Sequence, residues 1–211
     1  MAESLLALYL KLKSLHGKPS GQWKLWCKRP KTFREKQQVI IEAVLTQRAN
    51  WRNVQQAVEN LRKERFLSLE KLVALPVDKL AGLIIPSGFY RQKAIRLKSL
   101  AWLIMEKGGL SRIQRCCVEE IRKNLLSLSG IGPETADDIL LYALEKPVFV
   151  IDEYTRRLAE RLNFPVNLSY DSLQEYFEAR LPEDYRIYQD FHALIVIDGK
   201  ERGRRCNLKE V

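Results

Sequence analysis

Cysteine and histidine are scarce in this chain, and their spacing excludes a compact metal site. The four cysteines (Cys27, Cys116, Cys117, Cys206) form no CxxC pair and no tight Cys/His group, so a structural zinc has no ligand set. The one adjacent pair is poorly placed for an ordinary bridge, and a reducing cytoplasm is the simplest setting. No apolar run reaches the roughly 18 residues of a membrane span. The opening stretch, MAESLLALYLKLKSLHG, lacks a basic segment before its apolar part and reads as a mature amphipathic helix. Low-complexity segments and internal repeats are missing. Strand-like alternation is nearly absent.

What is present is helical periodicity and positive charge. Of 211 residues 46% are hydrophobic, enough for one compact unit or two small lobes. Lys and Arg number 36 against 26 acidic residues, a net charge of +10. That excess favours polyanions, nucleic acid or an acidic membrane surface, although many soluble proteins are basic for no specific reason. Residues 4–15 set Leu5, Leu8, Leu12 and Leu15 on one stripe. A basic loop with Trp23 and Trp26 follows. Residues 37–46 predict a buried helix, and Asn50 caps the next, with Val54, Val58 and Leu61 inward. Helices are predicted from Ser68 to Pro76, at 77–84 and from Tyr90 to Lys107, the last stopped by Gly108-Gly109. Further helices fit 117–126, 133–144, 153–162, 171–180 and 184–197. The fold class is all-α.

The segment LLSLSGIGPETADDILLYAL (125–144) is the most informative. One helix ends near Leu128, Gly130 and Gly132 turn the chain, and Pro133 opens the next helix, where its missing N–H costs nothing. Ile131 is an apolar peg between the two helices. The exposed amides then converge as an anion nest, and phosphate is the obvious candidate. An ordinary turn between helices also uses glycine, but the full Leu-x-Gly-Ile-Gly-x-x-Thr-Ala pattern is more restrictive. No Lys or Arg lies between Lys123 and Lys146, while Glu134, Asp137 and Asp138 are acidic. Main-chain groups must therefore hold the anion, with room for a bound monovalent cation. Basic side chains elsewhere supply long-range attraction.

Downstream, Val148 to Ile151 is too short for a helix and predicts a buried extended linker. It delivers Asp152 to the start of a helix, where Asp is an ordinary cap. A carboxylate held by helix amides also stays ionised and oriented. Such a group can stabilise a sugar with oxocarbenium character and orient water. Asp152 is the catalytic candidate.

With hairpin and aspartate in view, the chain resembles the endonuclease III branch of helix-hairpin-helix DNA glycosylases. The likeness runs through VIIEAVLTQ (39–47), PSGFYRQKAIRL (86–97), the hairpin (128–144), VFVIDEYTRR (148–157) and FHALIVIDGK (191–200). It implies a two-lobed fold with a central cleft: a helical barrel at 31–146, and a second domain from 1–30 plus 147–211. It implies double-stranded DNA with a damaged base as partner, a base flipped into a pocket, and no membrane; a monomer is expected. By resemblance Asp152 is the catalytic aspartate. Gly130, Ile131, Gly132 and Thr135 bind phosphate, and Gln47 fills the gap left by the flipped base. Without the resemblance, Gln47 is a surface residue after a helix.

Two departures sharpen the expectation. Bifunctional relatives carry a Schiff-base lysine where this chain has Glu134, and a carboxylate cannot form that imine. Strand cleavage by that route should be absent. Many relatives end in four cysteines that ligate an iron–sulfur cluster, whereas only Cys206 follows Lys200 here. No cluster is expected. Lys200, Arg202, Arg204, Arg205 and Lys209 form either a basic patch or a solvated tail. Within the branch the chain most resembles the 3-methyladenine DNA glycosylase III group, which implies alkylated purines. Trp51, Trp23 and Trp26 are candidate walls of the base pocket, against core packing as the ordinary use of tryptophan. Arg48 and Ala49 replace the Asn-Thr of many relatives, and oxidised bases or uracil and thymine mismatches stay open. A non-catalytic DNA-binding module would need the hairpin but not Asp152.

Overall fold

Helices form where a capping side chain and an apolar stripe coincide. The computed structural model describes residues 4–165 and 167–207, with side chains through residue 203. Among the described residues every regular element is helical. The chain divides into two compact units, 30–144 and 1–29 with 145–211.

In the unit 30–144, helix α3 (Phe33–Leu45) begins at a reciprocal cap between Thr32 and Glu35. It is apolar nearly all round and forms the centre, with Val39, Ile40, Ile41, Ala43, Val44 and Leu45 buried. Helix α4 (Trp51–Lys63) is capped by the Asn50 side chain, which accepts from the Asn53 amide, and turns Val54, Val58 and Leu61 inward. Short helices α5 (Leu69–Ala74) and α6 (Val77–Leu83) flank Pro76. One 3-10 turn, Ile85–Ser87, leads into α7 (Tyr90–Glu106). Gly108 and Gly109, both left-handed, end α7 as expected. A further turn, α8 (Leu110–Ile113), was not anticipated; it buries Leu110 and Ile113. Helix α9 (Val118–Leu126) ends where 117–126 predicts, and α10 (Pro133–Asp138) covers the first part of 133–144. Its continuation, Ile139–Ala143, widens into a π turn with all five side chains buried.

The second unit holds α1 (Leu5–His16), α2 (Trp23–Trp26), α11 (Glu153–Arg161), α12 (Tyr170–Glu178) and α13 (Tyr185–Asn207). Leu5, Leu8 and Leu12 of α1 are buried, but Leu15 is 65% exposed and Tyr9 completes the stripe instead. The basic loop with the two tryptophans contains the helical turn α2, which buries both rings. Residues 145–152 carry no regular secondary structure, with Val148 to Ile151 buried. Their backbone is satisfied by side chains of α12: the Phe149 amide donates to Glu178, and its carbonyl accepts from Gln174, each at 2.7 Å. The Phe149 ring stacks on Phe177 at 4.4 Å and meets Phe191 and Tyr188 edge-on. Helix α13 runs well past the predicted end at 197, and the side chains of Arg204, Arg205, Cys206 and Lys209 lie outside the described residues.

One buried cation fixes two loops of the first unit. Lys93, on α7, is 0% exposed, and its Nζ donates to Leu45 O (2.8 Å) and Ser87 O (2.6 Å). Those carbonyls close α3 just before Gln47 and end the turn just before Phe89. Burial, with the charge of Arg96 adding to it, pushes the Lys93 pKa down to about 8. The folded chain thus binds this proton more weakly than the unfolded one, whose lysine titrates at 10.5. Stability from this group therefore rises as pH climbs from about 8 to about 10.5. Lys93→Met deletes the titration. In urea unfolding, the wild-type minus variant difference should move in favour of wild type between about pH 7.5 and about pH 10. A flat difference would rule out the shifted lysine.

Candidate functional site

The hairpin is built around Ile131, which is buried between exposed neighbours Gly130 and Gly132. Gly130 sits at φ +82°, a region that disfavours side chains, and a Cβ there would stand 2.0 Å from Arg96 Nε. Gly132 has an ordinary φ of −89° and open space where a Cβ would be. The two glycines thus differ in role: the first permits the turn, and the second leaves room in front of it. Arg122 on α9 grips the fully buried Asp137 of α10 through two bonds, at 2.8 and 3.1 Å, and ties the hairpin helices together. The acidic residues of this segment are therefore not uniformly presented to an anion: Glu134 is exposed, while Asp137 is buried and paired.

A cation missing from the hairpin sequence arrives from α7. Arg96 packs against Gly130, and its NH1 donates to Gln47 Oε1 at 2.7 Å. Gln47 Nε2 in turn donates to Gly130 O (3.0 Å) and to Thr135 Oγ1 (2.9 Å). Gln47 is thus folded onto the hairpin, joining Arg96 to the turn and to Thr135. Thr135 is buried, its hydroxyl engaged by Gln47. Sequence reasoning missed Arg96 because it lies 34 residues before Gly130 in the chain.

Beside Gln47, Arg48 is exposed at φ +50°; Phe89 is 57% exposed at φ +45°. Non-glycine residues in the left-handed region are costly and mark segments whose shape is imposed by their surroundings. An exposed aromatic ring held this way is a surface contact residue that the sequence reading did not single out. The sequence signal was Gly88 inside PSGFY. Trp51, the first residue of α4, is half-buried.

In the other unit Asp152 caps α11. Its Oδ1 accepts from the Thr155 amide (2.8 Å) and from Thr155 Oγ1 (3.0 Å). Oδ2 stands 3.6 Å from Nε2 of His192, a buried residue of α13 that sequence reasoning did not pick out. Burial pushes the Asp152 carboxyl upward, but His192 and the two Thr155 donors outweigh it, and its pKa lies below the ordinary value. Asp152 is 15% exposed, so the ionised group keeps an outlet. Trp23 meets the His192 ring edge-on at 5.6 Å and Trp26 at 5.7 Å; both tryptophans are buried, at 5% and 4% exposure. Trp23 therefore stands next to the carboxylate's partner, whereas Trp51 belongs to the hairpin unit.

Cys116 and Cys117 lie in the hairpin unit and Cys27 in the other, its thiol donating to Gln189 O, while the side chain of Cys206 lies outside the described residues. Among the described residues there is no group of three or more metal-ligating side chains, and no helix is long and apolar enough to cross a membrane.

Comparison with known proteins places these features in context. The family model described as "HhH-GPD superfamily base excision DNA repair protein" matches residues 41–183. The "Putative DNA repair glycosylase" of Methanocaldococcus jannaschii is 41% identical over 183 residues, 82% of this chain and 83% of that protein. Endonuclease III of Thermotoga maritima is 31% identical over 146 residues, 69% of this chain and 65% of that protein. The crystal structure of H. pylori 3-methyladenine DNA glycosylase bound to 1,N6-ethenoadenine superposes with a TM-score of 0.80 at 28% identity, covering 94% of this chain and 98% of that one.

Proposed function

The chain belongs to the HhH-GPD superfamily of base excision DNA repair proteins and is a DNA glycosylase; we propose that it releases an alkylated purine such as 3-methyladenine and leaves the DNA strand uncut. The observation that carries this reading is the ionised carboxylate of Asp152, held by Thr155 and facing His192. As the N-glycosidic bond breaks, its electron pair departs with the base and the sugar becomes positive. Asp152 stabilises that charge, and water adds at the anomeric carbon while its proton passes to the carboxylate. A carboxyl with lowered pKa has no proton to give the leaving base. The preferred substrate is then a base that leaves without protonation, and methylation supplies this by making the purine cationic. The H. pylori enzyme that this chain resembles carries 3-methyladenine in its name.

Strand cleavage through an imine has no suitable amine in the hairpin, where Glu134 occupies the position of the lyase lysine. Lys93 has a pKa suited to a nucleophile, but it is buried and donates to two carbonyls. Gly130, Ile131 and Gly132 hold a DNA phosphate beside the lesion, and Arg96 adds the charge that the hairpin lacks. Gln47 and the exposed Phe89 serve the opened base stack, and the half-buried Trp51 is the tryptophan of this unit available to a base, since Trp23 and Trp26 are 5% and 4% exposed.

Duplexes carrying one alkylated, oxidised or deaminated base test this reading. Breaks are expected only after hot alkali and chiefly with 3-methyladenine, and borohydride should trap no covalent adduct. Breaks before alkali with a trapped adduct would reject the uncut-strand reading. Asp152→Asn should slow release by at least about 100-fold while duplex affinity holds; an unchanged rate would remove Asp152 from the chemistry.

Arg96→Gln should weaken binding to damaged and undamaged duplex alike. It should also lower the slope of log affinity against log salt by about one. Anisotropy titrations across a salt series measure this, and an unaltered slope would take Arg96 off the phosphate.

A further inference from the structure

We propose that His192 is the positioning residue of Asp152, holding the second carboxylate oxygen that the α11 cap leaves unfixed; this rests on the reading of Asp152 as the reacting group. The two oxygens have different surroundings. Oδ1 carries both bonds from Thr155, at 2.8 and 3.0 Å, and is thereby tied to the helix start. Oδ2 receives nothing from α11, and the group facing it is His192 Nε2 at 3.6 Å. The imidazole cannot swing away freely. It is 2% exposed, with Trp23 at 5.6 Å and Phe149 at 6.4 Å, both crossing it at 85°.

Several charged and titratable groups on the surrounding elements are engaged elsewhere. On α11, Glu153 pairs with Arg157, and Arg156 donates to Leu168 O. On α12, Glu178 accepts from the Phe149 amide, and the Tyr170 hydroxyl from the Ile151 amide. On α13, Asp190 pairs with Arg29, while Asp198 takes His16, Arg161 and Arg202. His192 is thus the group placed to set both the orientation of Asp152 and its readiness to stay ionised. A protonated imidazole favours the anion by charge and by donation. A lost imidazole leaves Oδ2 turning in a site where burial favours the neutral acid.

Glutamine can donate from nearly the same point without carrying charge; phenylalanine keeps the bulk alone. Single-turnover base release from an alkylated duplex, followed from about pH 5 to about pH 9, separates these contributions. For His192→Gln the acidic limb should move up by about one pH unit, close to a tenfold slower release on that limb. The plateau at higher pH should stay within about threefold of wild type and the affinity for uncleaved duplex should hold. For His192→Phe the plateau should fall as well, by about tenfold or more. An acidic limb unmoved in His192→Gln, while Asp152→Asn is inactive, overturns the role of His192 and leaves Asp152 standing. An active Asp152→Asn overturns the reading beneath it. Should His192→Gln fail to fold, carbon-13 NMR of the Asp152 carboxyl in the wild-type protein decides. Titration below the ordinary aspartate range supports the pair, and titration above that range rejects it.

Discussion

A charge taken out of water must be compensated where it sits, and the first unit is arranged around one such charge. Lys93 lies wholly inside, so the carbonyls it meets are fixed in place by the cost of leaving an ammonium bare. Those carbonyls belong to Leu45 and Ser87, one at the end of α3 and one in the turn before α7. The residues that follow each, Gln47 and Phe89, are therefore presented from a rigid base. Three residues along α7 from Lys93, Arg96 reaches the surface and meets Gly130. One stretch of helix thus organises three separate segments: the end of α3, the strained turn and the hairpin. Arg48 and Phe89 can remain in costly backbone conformations because that support over-determines their positions.

The second unit applies the same rule to a negative charge. Asp152 ends a buried segment without regular structure, whose own amides and carbonyls are met by Gln174, Glu178 and Tyr170. With the backbone satisfied, the segment needs no sheet and can lie against the aromatic cluster of Phe149, Phe177 and Phe191. The carboxylate it delivers is a helix cap and, in the proposed chemistry, the reacting anion, and the roles do not compete. Capping uses Oδ1, which fixes the rotamer and favours ionisation, while Oδ2 faces His192. A cap by Ser or Asn would start α11 as well but would carry no charge to the sugar.

Local signals were legible in the sequence, and side-chain partnerships across it were not. Asn50, Asp152, Gly108 and Gly130 act through bonds or backbone geometry confined to a few neighbours, so residue type and position sufficed. Ile131 as a buried peg and 148–151 as a buried linker follow from apolar residues placed where neither helix nor turn could use them. Leu15, in the last turn of α1, is exposed, while Tyr9, amphipathic and easily passed over in an apolar count, is buried. The hairpin helix ends within a residue of its predicted limit, but its widening into a π turn left no signal, because a π turn has the composition of any buried helix. Arg96, Lys93 and His192 left no mark of their own, since each acts on a residue 34 or more positions away in the chain. PSGFY advertised a break but not that its aromatic would stand exposed.

On the proposed reading of Asp152, the chemistry of the leaving group follows from what the carboxylate cannot do. A site that holds its acid ionised offers stabilisation to the sugar and no proton to the base. For a neutral purine the departing nitrogen would carry full negative charge, and neither Asp152 nor the exposed Glu134 at the hairpin relieves it. A base already bearing positive charge departs neutral and needs no acid. Selection can then rest on lability as much as on fit: a normal base that enters the pocket is released slowly because its bond resists, even when its shape is accepted. On the proposed reading, a glutamate is tolerated at the hairpin position used by bifunctional relatives for an amine. An enzyme that needs only an anion beside the sugar and a good leaving group has no use there for a nucleophile.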